Sequence, residues 1–350
     1  APTTTHDVFK HFWNVAETLH RVQARSFRTV ATDELIEAGL KAMVNKVDAH
    51  SSFFTPQSYQ TTLDMASGQF PGIGVSIIGK AADEDSLLIV DVTRDGPAET
   101  AGLQSGDKIV EVNGYKLRGM TSDEVVTRLR GKINTTVTIK ITREKKPLEF
   151  TITRKIIKDR NVLSYYIAQY HAAYIKVTSF NEKTAHNIAA LLRQAQAKKC
   201  HSIMLDLRKN PGGVLESAVK TSSLFLPEKS LVATTQNKKR EVVRSYYTSG
   251  TPSHDPAVPL FIMTDNFTAS SSEVLTGCLQ YYARTQNNIR AFVVGMPSFG
   301  KGSVQEIMPL SYGCALKLTT MLYYLPGNTC LQAVGITPDI MVKPKTVPKH

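Results

Sequence analysis

The chain has 350 residues, 42% hydrophobic and 21% charged, a composition that suits a globular protein of two or three domains and excludes general disorder. Lys and Arg outnumber Asp and Glu by 42 to 30, a net charge of +12, yet the basic residues are scattered, with only short runs such as Lys238-Lys239-Arg240. That pattern is expected of a solvated surface and not of a nucleic-acid track. The longest uncharged stretch, 318–338, is broken by Pro326-Gly327-Asn328 and reads as a hairpin, not a membrane span.

Residues 1–66 are expected to be helical. Val8, Phe12, Val15 and Leu19 make an apolar stripe, Thr32 is placed to cap a second helix with Asp33 and Glu34 in its first turn, and Leu35, Leu40 and Val44 give that helix its apolar contacts. A polar loop around Asp48 to Ser52 follows. From residue 67 to 157 the texture changes to short strands and turns. Gly72-Ile73-Gly74-Val75 opens a strand, a second strand covers 86–92, and Asp95-Gly96-Pro97-Ala98 starts a short helix that stops at Gly102. A strand over 108–112 closes at Asn113-Gly114, Thr121 is placed to cap a helix through Leu129 that ends at Gly131, and strands over 135–142 and 148–154 pair across a turn at 144–147. From 158 to 345 the pattern is α/β, with strands at 173–177, 202–207, 260–264 and 291–295 and helices at 183–197 and 272–282.

The order of elements over 67–157 resembles a PDZ domain. The resemblance implies that the backbone N–H groups of Gly72, Ile73, Gly74 and Val75 receive a peptide's C-terminal carboxylate while the peptide adds as a strand.

Two segments of the α/β part carry chemistry. In Thr268-Ala269-Ser270-Ser271-Ser272-Glu273 the serines lie between a buried strand and a helix, where free N–H groups favour negative charge; one of them could attack a carbonyl, and all three could equally be helix caps. In Ser298-Phe299-Gly300-Lys301-Gly302-Ser303-Val304-Gln305 a lysine stands between two glycines, which allow close backbone approach. As a general base it must be neutral near pH 7, which calls for an apolar setting; Phe299, Val304 and Leu310 are candidates for it.

Together with DAHSSFFTP, FPGIGVSI, YIKVTSF, LDLRKNPGG, ALKLTTMLYY and AVGITPD, these segments resemble the carboxy-terminal processing (tail-specific) proteases, serine peptidases with an embedded PDZ domain. The resemblance implies an α/β (α+β) crotonase-like core after an N-terminal helical segment, and a Ser–Lys dyad assisted by Gln. Glu273, three residues after the nucleophile in the family motif, points to Ser270; Lys301 and Gln305 match the lysine and glutamine. The implied oxyanion donors are Ser271 and Gly212 or Gly213, with Gly212 favoured. The family uses no metal or cofactor. His50 and His201 receive no proton-transfer role. Implied partners are proteins with exposed apolar C-termini, with no nucleic acid. Peripheral envelope association, dimerisation through the N-terminal helices and a periplasmic location after loss of a signal peptide complete the expectation; the chain, without Met at position 1, reads as processed. TASSSE departs from the usual alternation of Ser and Ala, and residues 284–288 are expected as an extra surface loop. Cys200, Cys278, Cys314 and Cys330 show no metal spacing and are expected to be reduced.

Overall fold

The computed structural model describes residues 5–78, 86–118, 120, 122–158 and 161–343, and the chain forms two compact units, Ala1–Tyr59 with Ser303–Met321, and Gln60–Gly302 with Leu322–His350. Helices α1 (Thr5–Arg25) and α2 (Thr32–Asn45) begin the first unit. Ion pairs four residues apart, Glu17–Arg21 and Glu37–Lys41, support them locally. Thr32 is the first helical residue and not the cap: Ala31 holds the cap position, and the Thr32 hydroxyl accepts from the Gln23 carboxamide. The stripe on α1 is not buried, since Phe12 is 70% and Val15 53% exposed. Strand β1 (Ser52–Phe54) follows a turn in which Asp48 accepts the His50 and Ser51 N–H groups. Helix α3 (Pro56–Ser67) runs on into the second unit.

There a β-rich domain opens with β2 (Gln69–Gly72) and β3 (Val75–Ile78). It continues through β4 (Leu87–Val92), the short α4 (Pro97–Ala101) stopped by left-handed Gly102, β5 (Lys108–Val112) and β6 (Tyr115–Lys116). Helix α5 (Ser122–Leu129) and the hairpin β7 (Thr136–Arg143)–β8 (Lys146–Thr153) complete it, and β9 (Lys155–Lys158) leads out. Thr121, the expected cap of α5, lies outside the described residues. The hairpin turn is tighter than the expected four residues. Glu144 and Lys145 alone, at φ 48° and 66°, make it, and Pro147 sits in β8, an edge strand with no outer partner to miss its N–H. Ile73, Leu87, Ile109, Leu117, Ile139 and Ile141 are among its fully buried core. Sheet order is β3-β4-β5-β7-β8, so β3 is also an edge. Antiparallel pairing of β2 with β9 makes the two chain crossings of this domain one ribbon.

The rest of the second unit is built on a sheet in the order β10 (Val162–Ile167), β11 (Ala172–Val177), β12 (Ser202–Asp206), β15 (Leu260–Thr264), β16 (Ala291–Gly295), β20 (Ile340–Met341), parallel except for β10. Helix α6 (Thr184–Ala197) crosses from β11 to β12, α7 (Leu215–Ser222) follows β12, and α8 (Ser271–Thr285) crosses from β15 to β16. The loops at 207–214 and 265–270 therefore leave the carboxyl ends of two neighbouring parallel strands, where open α/β sheets hold their ligands. Strands β13 (Leu231–Gln236) and β14 (Val242–Tyr247) pair with each other, and β13 pairs with residues 322–324 of β18 (Ala315–Leu325), which turns through Pro326-Gly327-Asn328 into β19 (Thr329–Cys330) as the expected hairpin. In the first unit, residues 315–317 of β18 pair with β1, and β17 (Ser303–Pro309) also pairs with β18. Residues 284 and 285, expected in a surface loop, continue α8, because Arg284 reaches the Asp339 carboxylate. All four cysteines are free. Among the described residues no helix is long and apolar enough to cross a membrane.

Candidate active site

The three consecutive serines meet three different fates. Ser271 and Ser272 are 1% and 0% exposed, and their hydroxyls donate to the backbone of the loop after β12: Ser271 to the Gly213 carbonyl at 3.1 Å and Ser272 to the Asn210 carbonyl at 3.3 Å. Ser270 remains partly exposed, in the sharp strand-to-helix turn, at φ 57° and ψ −122°. For a residue with a Cβ this is a strained backbone, held only because the surroundings over-determine it. The Glu273 N–H donates to the Ser270 carbonyl at 2.8 Å and the Glu273 carboxylate accepts the Ser270 N–H, so the turn closes as a capping box, and a serine here can serve as a cap or as a nucleophile.

Glu273 does more than close the capping box. It is 0% exposed, and its two carboxylate oxygens accept four donors. Oε2 takes the backbone N–H of Ser270 and of Lys301, each at 2.8 Å; Oε1 takes the Gly300 N–H at 2.7 Å and the Ser298 hydroxyl. The main-chain nitrogens of Ser270 and Lys301 thus share one oxygen and lie no farther apart than two such bonds laid end to end. The sequence offered Glu273 only as a ruler for locating Ser270; its own role appears when the two loops are side by side. The Lys301 loop is further fixed by Phe299 N–H on the Thr268 carbonyl at 2.9 Å, and by Ala333 N–H on the Gly300 carbonyl at 2.8 Å. Phe299 itself is 59% exposed and does not close over the loop. In the first unit, Gln305 donates from its carboxamide to the hydroxyls of Ser303 at 2.9 Å and Thr319 at 3.1 Å.

The glycines of the loop after β12 lie against the serine turn. A Cβ on Gly212 (φ 98°) would stand 2.8 Å from the Ala269 carbonyl oxygen and 2.9 Å from Ser270 Cβ, so only glycine fits. Gly212 donates its N–H to Asn210 Oδ1 at 2.9 Å. The N–H groups of Gly213 and Ser271 have no acceptor among the described residues. Gly213 alternates with its neighbours: the Gly212 carbonyl and the Val214 N–H face Phe180, while the Gly213 carbonyl faces Ser271, which places the Gly213 N–H on the Ser271 side as well. Asn210, which the sequence reading passed over, is wholly buried and ties Gly212 to the Val177 carbonyl at 3.0 Å. His50 and His201 lie outside these loops, the former after α2 and the latter before β12.

In the β-rich domain, Gly72 ends β2, Ile73 is buried, Gly74 has φ 81°, and Val75 begins the edge strand β3. The carbonyls of Ile73 and Gly74 are taken by the Ala98 and Thr93 N–H groups, while the N–H groups of Ile73 and Gly74 have no acceptor among the described residues. A loop with free donors beside a free strand edge is the geometry that accepts a chain terminus as an added strand.

The peptidase family S41 pattern matches residues 171–342 and the PDZ pattern residues 60–142. The carboxy-terminal-processing protease of Bartonella bacilliformis is 33% identical over 341 residues, 96% of this chain and 76% of the relative. This chain belongs to that family, the S41 serine peptidases. Carboxy-terminal processing protease CtpB of Bacillus subtilis is 31% identical over 323 residues, 90% of this chain and 64% of the relative, so the chain spans about two thirds to three quarters of these proteins. Among solved structures, the photosystem II D1 C-terminal processing protease shares the fold with a TM-score of 0.56 at 22% identity, over 95% of this chain and 87% of that one. An S41 protease from Bacteroides fragilis does so with a TM-score of 0.56 at 20% identity, over 91% and 86%.

Proposed function

We propose that this S41 chain is an endopeptidase that cuts protein substrates near their C-termini, with Ser270 as nucleophile and Lys301 as the base that takes its proton. The observation that carries this reading is the buried Glu273 carboxylate, which gathers the backbones of Ser270 and Lys301 onto one oxygen. Ser270 Oγ attacks the scissile carbonyl as Lys301 Nζ accepts the proton; the ammonium then protonates the leaving amine, giving an acyl-enzyme. Water, deprotonated by Lys301, attacks the ester, and Ser270 is released. The carbonyl oxygen, negative in the tetrahedral intermediate, is received by the N–H groups of Ser271 and Gly213. Gly213 replaces the initially favoured Gly212 in this role, because the Gly212 N–H is already spent on Asn210. Gln305 is assigned to orienting the lysine on the family resemblance alone.

The PDZ domain supplies the C-terminal selectivity in this proposal. Gly72, Ile73, Gly74 and Val75 receive the substrate's carboxylate, the tail pairs with the β3 edge, and Val75 and Ile77, half-buried against the domain core, favour apolar tail residues. A homodimer through the N-terminal helices is supported by the exposed apolar face of α1, and a periplasmic site of action with peripheral envelope association by the family resemblance and the +12 charge. Fractionation of cells carrying the intact gene tests the location; recovery with cytosolic markers would refute it.

Cleavage of a loosely folded protein by the wild type, Ser270→Ala and Lys301→Ala tests the mechanism. Each variant should lose activity by a factor on the order of 10³ or more with its thermal unfolding unchanged. Wild-type turnover by Ser270→Ala would overturn the assignment.

A further inference from the structure

The amino ends of β12 and β15, opposite to the ends that carry the serine turn, enclose a cavity of about 180 Å³. Three pieces of chain wall it: the last two turns of α6, the turn at Lys199-Cys200 with the start of β12, and the segment 253–258 that leads into β15. The five residues of β12, at about 3.3 Å each, separate it from the loop at 207–214. Hydrogen bonds fix each wall. Lys199, at φ 51°, turns the chain out of α6 with its N–H on the Gln196 carbonyl at 2.9 Å, and the Cys200 N–H reaches the Ala195 carbonyl at 3.0 Å. The N–H groups of Ser253 and His254 both donate to the Leu224 carbonyl at 2.9 Å, and the Ile203 N–H donates to the Pro259 carbonyl at 3.0 Å. Such a frame sets the volume of the cavity before any ligand arrives.

The lining joins apolar surface from Leu192, Ala195, Ile203 and Val258 to two buried polar side chains, Cys200 and His254, which are 8% and 6% exposed. The His254 ring is held in one orientation. It packs on Phe225 with ring centroids 5.2 Å apart, and its Nε2 lies 2.9 Å from the Val258 carbonyl. A carbonyl only accepts, so Nε2 carries the proton. Burial pushes the imidazole's pKa down against the pull of the Val258 bond and Asp255, so the ring is neutral at pH 7 and Nδ1 presents a lone pair. No donor among the described residues reaches Nδ1, and the Cys200 thiol has no hydrogen-bond partner among them either. Burial pushes that thiol's pKa up, which keeps it protonated and uncharged. Lys199 and Asp255, both exposed at the rim, carry opposite charges, so the cavity favours neither an anion nor a cation. An unused acceptor in a buried residue costs free energy that a ligand's hydroxyl recovers, and the apolar walls favour a ring over water.

From this lining we propose that the cavity binds a neutral ring compound of phenol's size with a single hydroxyl, which donates to His254 Nδ1 while the ring lies against Leu192, Ile203 and Val258. An apolar cavity of about 150 Å³ takes benzene. The somewhat larger space here accommodates one substituent on such a ring. This site is independent of the peptidase mechanism proposed above and does not rest on it.

Calorimetric titration of the full chain with phenol tests this, with toluene, a ring of the same size that lacks the hydroxyl, for comparison. Phenol should bind at one site with a Kd on the order of 0.1–1 mM, a range open to so few non-hydrogen atoms, and should raise the unfolding temperature. Toluene, although the more hydrophobic of the two, should bind no tighter. His254→Leu removes the acceptor and should swing the ratio of the two affinities toward toluene by about tenfold, the ordinary value of one hydrogen bond. Ala195→Met sends a longer side chain from α6 into the space, should bind neither compound, and carries the test if His254→Leu does not fold. A wild type without saturable phenol binding would overturn the proposal. So would phenol binding that survives in Ala195→Met, since the compound would then sit elsewhere, or an affinity ratio that His254→Leu leaves unchanged.

Discussion

Glu273 concentrates the site's dependence on single atoms. Glu273→Gln keeps one acceptor oxygen and turns an NH2 toward two donors that then have no partner. The expected cost is about 2–4 kcal/mol of stability and a kcat lower by a factor on the order of 10², because the Ser270 and Lys301 loops lose their common anchor. Urea unfolding and steady-state kinetics measure both; an unchanged kcat would show that the two loops hold their places without it. Asp206, at the end of β12, is 1% exposed and accepts the Tyr174 hydroxyl at 2.6 Å and the Arg208 guanidinium at 3.0 and 2.8 Å. Burial alone would raise its pKa, but the bonds from Arg208 and Tyr174 outweigh burial and hold it at about 2. Since the folded value lies below the unfolded one, the stabilisation is complete above the unfolded carboxylate pKa and fades as pH falls toward 2. It amounts to roughly 2 kcal/mol, about half of it gone by pH 3. The stability gap between the wild type and Asp206→Asn, followed by urea unfolding, should narrow by about 1 kcal/mol between pH 7 and pH 3. At this scale the serine and lysine were legible because their motifs are local; Glu273's four bonds were not, because the donors come from two loops far apart in the chain.

Among the elements, α5 shows how a helix end is secured from a distance. The Arg154 guanidinium, on a residue 6% exposed, donates to the carbonyls of Arg128 at 2.9 Å and Leu129 at 3.0 Å in the last turn of α5, and to the Thr136 carbonyl at 2.7 Å. Gly131 keeps the space open, since a Cβ there would stand 2.9 Å from Arg154 Nε. Arg154→Ala leaves those last-turn carbonyls without a buried cationic donor and should cost the PDZ domain about 3 kcal/mol. Calorimetry should show a lower unfolding temperature, and fluorescence anisotropy a weaker hold on a free apolar tail; wild-type values for both would mean that α5 is capped well enough without it. The sequence pattern predicted β4, β5, the β7–β8 pair and α4 to within a residue or two, because alternation and Gly/Pro punctuation are local properties. It placed Arg154 merely at the end of a strand, since which helix an arginine reaches is decided by packing.

For the molecule as a whole, the proposal that α1 mediates dimerisation turns on an apolar face that the chain leaves in water. Trp13 is 73% and Phe12 70% exposed. Replacing Phe12 and Trp13 by Ser should convert a sedimenting dimer to a monomer without lowering the unfolding temperature of the core; a monomeric wild type would refute the dimer. The sequence alone determined the embedded PDZ domain and the α/β core, and it offered Ser270 and Lys301 as the candidate dyad, because each is written in residues close together in the chain. It also predicted the apolar stripe on α1, but not that Phe12 and Val15 would face solvent. Tertiary structure decided what sits beside what: that one carboxylate anchors both the Ser270 and the Lys301 loop, and that the Gly212 N–H is spent on Asn210 while that of Gly213 faces Ser271. These are contacts between segments tens of residues apart, and their hydrogen bonds form only once hydrophobic burial has brought the segments together.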